Sequence, residues 1–193
     1  MERFDLPEGW EWRTLGDLGN LYCGQSPSST TVNSEGVGTL YITGPEQWDG
    51  ERLHNPKWTT DPKRIVPDGC IFITVKGAGV GKLFPGIAAA IGRDVYAFKP
   101  KEEYSTKFIE FALRSSISEI LHHASGDIPG LSKVHILQHV LAVPPLEEQE
   151  RLVARIESFV RREQELRKLI REAEKEVSAL MPALLAKAFR GEL

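Results

Sequence analysis

Only two cysteines occur in the chain, Cys23 and Cys70, and they share no CxxC spacing. A disulfide-stapled scaffold and a four-thiolate zinc site are therefore excluded, and the pair reads as free thiols of a reducing compartment, with a single disulfide as the alternative. No apolar run approaches the roughly 20 residues that cross a bilayer. The opening MERFDLPEGW is charged rather than signal-like, so a cytoplasmic protein with no membrane partner is expected. Catalytic signatures are missing too: neither GxSxG nor HExxH occurs. His135 and His139 have the i, i+4 spacing of a metal pair, but no third ligand accompanies them, so they read as surface or hydrogen-bonded histidines. His122 and His123 could join them only by an accident of folding. Residues 76–82 read KGAGVGK, which imitates a phosphate loop. However, Lys76 stands where the first glycine belongs and Leu83 replaces the magnesium-binding hydroxyl. The loop reads instead as a glycine turn between strands that exposes Lys76 and Lys82 to a polyanion.

These absences do not describe a chain too biased to fold. Over 193 residues, 41% are hydrophobic and 26% charged, an ordinary globular composition. A chain of this size can bury roughly 70% of its unfolded surface, and the length suits one domain plus an appended element. The net charge of −3 gives by itself no reason to suspect nucleic acid. Its distribution is more informative. Residues 1–51 hold nine acids against Arg3 and Arg13, whereas residues 52–99 hold eight lysines and arginines against three aspartates. A block of net charge +5 in an acidic chain fits a localised phosphate-facing surface. The other reading is that these charges scatter over a sheet once folded. Trp10, Trp12, Trp48 and Trp58, with Tyr22 and Tyr41, crowd the first 60 residues and read as core. Packing of Trp48 and Trp58 on a base or sugar is the alternative.

Short β-like runs bounded by turn residues fill residues 1–145, among them residues 39–43 (TLYIT), 70–75 (CIFITV) and 95–98 (VYAF). Residues 105–116 predict a helix capped by Ser105 or Thr106, with an apolar face of Phe108, Ile109, Phe111 and Ala112. A second short helix is predicted over 133–140 with Ser132 as its cap, the two separated by the SGDIPG loop at 125–130. The texture then changes. Pro144-Pro145 ends the strand region, Pro145 suits a first helical turn, and Glu147 and Glu148 meet its positive end. From there to Ala188 no glycine and only Pro182 interrupts. A helix of about 40 residues at 1.5 Å each is roughly 60 Å long, and Pro182 is expected to bend or end it near Met181.

Leu152, Ile156, Phe159, Glu163, Leu166, Ile170, Ala173, Val177, Leu180 and Leu184 follow steps of four and three, and all but Glu163 are apolar. So long a stripe predicts a coiled coil, with Glu163 costing stability in the seam or fixing its register. The partner helix is absent from this sequence and must come from another chain or a second copy. The expected fold class is α+β: a mixed α/β domain over residues 1–145, followed by a coiled-coil helix over 146–193.

Certain runs resemble a known family. Residues 6–12 (LPEGWEW), 15–18 (LGDL) and 24–28 (GQSPS) resemble the start of a target-recognition domain in specificity subunits of type I restriction-modification systems. Residues 66–72, 79–82 and 126–132 match as well, as do the VPPLEEQ run at 143–149 and the LLAKAFRGEL close at 184–193. Serine stands at position 26, where threonine is commoner; it can make the same hydrogen bonds. The resemblance implies an α+β domain that reads double-stranded DNA and has no catalytic centre or cofactor of its own. S-adenosylmethionine is expected on a modification (methyltransferase) subunit, and a restriction subunit is a further candidate partner. Family members usually carry this unit twice, with the two long helices antiparallel. With one of each, this chain is expected to pair with itself through Leu152, Ile156, Phe159, Leu166, Ile170, Ala173, Val177, Leu180 and Leu184. Lys57, Lys63, Arg64, Lys76 and Lys82 are the candidate contacts to DNA, with Gln25 and Ser26 for bases or phosphates. The competing reading is a coiled-coil adaptor that binds only protein.

Overall fold

A computed structural model describes residues 5–49, 52–77, 79–123 and 130–191. The chain divides into two compact units, Met1–Glu150 and Arg151–Leu193. Among the described residues the first contains three sheets, three α-helices and the start of a fourth, which makes up nearly all of the second.

Strand β1 (Glu11–Thr14) leads directly into a one-turn helix, α1 (Leu15–Leu18). Thr14 caps that helix reciprocally with Asp17, and Leu15 and Leu18 are fully buried beneath it. From β2 (Gly19–Cys23) the chain crosses between two sheets through β3 (Val32–Asn33), β4 (Thr39–Ile42), β5 (Lys57–Thr59), β6 (Ile65–Val66), β7 (Ile71–Thr74), β8 (Leu83–Pro85), β9 (Ala89–Ile91) and β10 (Val95–Pro100). One sheet has the order β2-β10-β7-β8 and is antiparallel throughout. The other has the order β3-β5-β4-β9-β6 and is antiparallel except for the parallel pair β4·β9. Helix α2 (Thr106–His123) buries Phe108, Ile109, Leu113 and Ile120. It runs well past the predicted end at residue 116. Ser115 and Ser116, which suggest a stop in sequence, instead bond back to the Ala112 carbonyl and leave the helix intact.

One core joins the two large sheets: Ile42, Val66, Phe72, Phe84, Ala89, Ile91, Val95 and Ala97 are buried together, with Leu40, Trp48 and Tyr22 packed around them. Trp48 lies edge-on to Phe72 at 6.4 Å and tilted against Phe84 at 5.3 Å. Trp48 is therefore a wall of the core. Gly24 sits where the chain leaves β2, and a side chain there would overlap the carbonyl oxygens of Gly92 and Val95. Only glycine lets the backbones pass so closely.

The SGDIPG loop lies outside the described residues except for Gly130. Helix α3 (Lys133–Leu137) starts where predicted. The Ser132 hydroxyl accepts from His135 N at 3.3 Å, and His135 Nδ1 accepts from Ser132 N at 3.3 Å. It ends at Leu137 rather than residue 140, because Val140 begins β11 (Val140–Val143), which pairs antiparallel with β1 from Glu11↔Val143 to Thr14↔Val140. His139 thus leaves the helix, and the i, i+4 geometry of a metal pair is lost.

Helix α4 (Leu146–Phe189) then runs for 44 residues. It continues through Pro182, contrary to the expected break. The Ser178 carbonyl that Pro182 cannot bond lies on an exposed stretch, where water can satisfy it. No helix among the described residues is long and apolar enough to cross a membrane.

The first turn of α4 is held in place by Gln149, whose residue surface is only 1% exposed. Its Oε1 accepts from Ser105 N at 2.9 Å, and its Nε2 donates to the Pro144 carbonyl at 2.8 Å. One amide thereby satisfies the start of α2 and the end of β11. Gln149→Ala leaves both backbone groups unpaired, at a cost of about 2 kcal/mol. A fall in Tm of roughly 4–8 °C is expected by calorimetry. An unchanged Tm would mean that water replaces the amide.

Candidate nucleic-acid interface

The basic block does not fold into one patch. Lys57 lies on β5, in a row that runs across the sheet through Tyr41 and Ala90 to Ile65. Three strand spacings separate its ends, about 14 Å. Lys57 and Ile65, the two ends, are exposed, while Tyr41 and Ala90 between them are buried. Lys63, just before β6, is paired with Asp61 at 2.6 Å. Lys99 is turned to the Asp68 carbonyl at 2.8 Å. Neither is a free cation of the kind that a run of charges suggests.

Three separate segments converge at Ile91, the last residue of β9. Gln25 N donates to the Ile91 carbonyl at 2.9 Å, and Ile91 N donates to the Arg64 carbonyl at 2.9 Å. Two residues on, Arg93 N donates to the Ser26 hydroxyl at 3.2 Å. Gln25, Ser26, Arg64 and Arg93 are all exposed around this junction. Three of them were expected from sequence. Arg93 was not: Asp94 follows it and cancels it on paper, yet the pair stands 4.0 Å apart with the arginine side chain 76% exposed. Such a contact is worth little and leaves the guanidinium available. Its place in the basic block beside Gly92 was the signal that could have found it. The segment from Gln25 onward then reaches β3, where the Thr31 carbonyl accepts from Thr60 N at 3.0 Å. It therefore spans from β9 to the end of β5.

Lys76 and Lys82 flank the connection between β7 and β8, and both are exposed. Ala78 lies outside the described residues. The loop is closed by Gly81 N to the Thr74 carbonyl at 2.8 Å and Thr74 N to the Lys82 carbonyl at 2.9 Å. It therefore joins antiparallel strands and heads no helix, which removes the geometry by which a phosphate loop cradles a nucleotide. Gly81 has φ +83°, and a Cβ there would meet Leu121 Cδ1 at 2.7 Å. Here the loop packs on α2, so its position is set by the core. Beside it a pocket of about 500 Å³ opens between β8, the 3₁₀ turn Pro45–Gln47 with Trp48, and α2, from which Arg114 reaches in.

No group of three histidines, cysteines or acids placed to hold a metal occurs among the described residues. Neither cysteine is paired. Burial pushes the Cys70 thiol up to about 11, and its Sγ donates to the Pro67 carbonyl at 3.2 Å. At neutral pH it is a protonated core residue, not a nucleophile.

In the second unit the predicted seam faces outward. Leu152 and Ile156 are half-buried, whereas Phe159, Leu166, Ile170, Val177, Leu180 and Leu184 are 40–69% exposed and Ala173 is also exposed. Glu163, the charged member, pairs with Arg167 one turn on. Leu169, Met181, Leu185 and Phe189 widen the apolar surface beyond the predicted stripe. A strict 4,3 count passes over them because it follows one seam only.

Residues 7–175 match the type I restriction modification DNA specificity domain. The MjaX specificity subunit of a type I restriction enzyme from Methanocaldococcus jannaschii is 29% identical over 161 residues, which cover 80% of this chain and 37% of that subunit. A chain from a structural study of assembly and conformational transition in the type I R-M system aligns with all of this chain and 48% of its own, at 30% identity and a TM-score of 0.87. The HsdS subunit of Thermoanaerobacter tengcongensis does so at 29% identity and a TM-score of 0.80, again over 48% of its length. The present chain spans about half the length of these solved relatives. Its matched region runs from the first strand of the α+β unit into the apolar stripe of α4, and the chain belongs to the type I restriction modification DNA specificity domain family.

Proposed function

We propose that this chain is a DNA-recognition subunit of a type I restriction-modification system that works as a homodimer. The family match over residues 7–175 carries the reading. One feature supports the dimer: among the described residues, α4 exposes a regular apolar stripe that includes Phe159, Leu166, Ile170, Val177, Leu180 and Leu184. A second copy laid antiparallel would bury both stripes at once, as an isologous two-fold contact requires.

Two identical readers related by a two-fold axis imply a bipartite palindromic site: a short half-site, a non-specific spacer and the inverted half-site. The junction around Ile91 and the β7–β8 loop would supply the contacts to DNA through Gln25, Ser26, Arg64, Lys76 and Lys82, with Arg93 added to them and with Lys57 on β5 and the Asp61-paired Lys63 as outlying candidates. Methyl transfer then belongs to a modification subunit that binds S-adenosylmethionine, and cleavage to a restriction subunit where one joins. The cytoplasm is the setting that this reading implies.

Gel shifts across a salt series test the recognition half of the reading. A DNA reader loses affinity linearly in log salt, with a slope set by its phosphate contacts, whereas a protein-only adaptor shows no shift at any salt. The purified chain alone is expected to show no methyltransferase, nuclease or ATPase turnover. Turnover that survives purification and disappears with a point change in this chain would overturn that assignment.

A further inference from the structure

We infer that Arg114 and Lys82 form a site for a DNA backbone phosphate, positioned by Glu110, and that this site sets the register of the recognition unit without reading bases. The inference rests on the DNA-recognition reading above. Both cations line the same pocket of about 500 Å³, whose other walls include Trp48, Phe84 and Ile117.

Arg114 is not an ordinary surface arginine. Its Nε and Nη2 both donate to Glu110 Oε1, at 3.1 and 2.8 Å, while Lys107 Nζ donates to Glu110 Oε2 at 3.1 Å. Glu110 is 8% exposed. Burial alone would raise its carboxyl, but the bonds from Arg114 and Lys107 outweigh it and hold the acid below its usual range. A buried carboxylate needs such partners, so Arg114 is held on α2 by a group that cannot release it cheaply. The trio of Lys107, Glu110 and Arg114 keeps a net charge of +1, and Lys82 adds another. Lys82 has no ion-pair partner among the described residues. The apolar walls, fixed by the packing of Trp48 on Phe72 and Phe84, focus that positive field at the mouth of the pocket.

The chemistry of the lining also points to the ligand. Glu110 takes the Nε–H and one Nη2–H of Arg114, which leaves the two N–H groups of Nη1 and one of Nη2 beside the ammonium of Lys82. The side chains lining the pocket offer two cations and no carboxylate or other acceptor. A guanidinium fork with an ammonium suits the charged oxygens of a phosphate, and phosphate contacts position a protein on DNA without carrying sequence information.

The test is equilibrium binding of the full chain to a 30-base-pair random-sequence duplex across a salt series, together with selection of a preferred motif from a randomised duplex pool. Lys82→Ala, an exposed change that leaves the core intact, is expected to weaken random-duplex binding about tenfold and to lower the salt slope by about one. Arg114→Ala is expected to do the same, with a thermal melt to establish that it is folded. Arg114→Lys keeps the charge and is expected to keep most of the slope. The selected motif should be the same for every variant. An unchanged slope in Lys82→Ala and Arg114→Ala, with wild-type chain binding normally, would overturn the phosphate site alone. A changed motif would overturn it in favour of base reading. No salt-dependent binding by the wild-type chain would overturn the DNA-recognition reading and this inference with it.

Discussion

Leu166→Asp, or Ile170→Asp, is expected to abolish self-association while leaving the recognition unit folded. Both side chains lie on the apolar stripe of α4 and are 60% and 57% exposed in the single chain. They therefore contribute little to the core that the two large sheets share. In an antiparallel pair they would be buried, and an aspartate there would face apolar side chains with no partner. Burying an unpaired carboxylate costs several kcal/mol, more than most helix pairs can spare. Analytical ultracentrifugation should then show a monomer where the unmodified chain is expected to give a dimer, with an unchanged far-UV spectrum. A dimer that survives both substitutions would mean that the stripe is not the seam.

The second expected result concerns the DNA site. If the paired helices set the distance between two readers, adding one heptad after Ala173 adds about 10.5 Å of helix at 1.5 Å per residue. At 3.4 Å per base pair along each strand, the preferred spacer should lengthen by about three base pairs. Position 173 lies midway along the stripe, so a seven-residue insertion keeps the 4,3 alternation and the seam can still close. It also turns each reader relative to the groove, so weaker binding at the new spacing is expected. Methylome sequencing of cells carrying the lengthened chain with a modification subunit, as the only specificity subunit, reads the spacer directly. An unchanged spacer, or an asymmetric motif from the unmodified chain, would refute the ruler.

Both results turn on α4, the part of the molecule most legible in sequence. Helix α4 announces itself because its signal is local and repeated: Pro145, Glu147 and Glu148 mark the start, and the stripe from Leu152 to Leu184 recurs every three or four residues. The Ser132 cap was legible for the same reason, since donor and acceptor lie three residues apart. Pro182 misled because propensity prices the lost hydrogen bond without knowing that the freed carbonyl faces solvent. The sheets were harder. Strands of two to four residues, such as β3 and β6, are too short for alternation to emerge. The 95–98 run was seen, but its extension to Pro100 depends on Asn20 and Gly19 lying opposite.

By itself, the sequence determined the α+β class, the long helix with its apolar seam, and membership of the specificity-domain family, because each is carried by residues close together in the chain. Only the tertiary structure decided which distant residues meet. The β1–β11 ladder joins Glu11 to Val143, Ile91 gathers Gln25, Arg64 and the Ser26–Arg93 contact, and Gln149 satisfies Ser105 and Pro144 together. Arg114, on a helix that reads as ordinary, reaches the pocket beside Lys82. Each of these is a pairing across tens of residues, made worthwhile by burying polar groups that must then find partners. Such a requirement constrains the folded interior and leaves no period in the chain that encodes it.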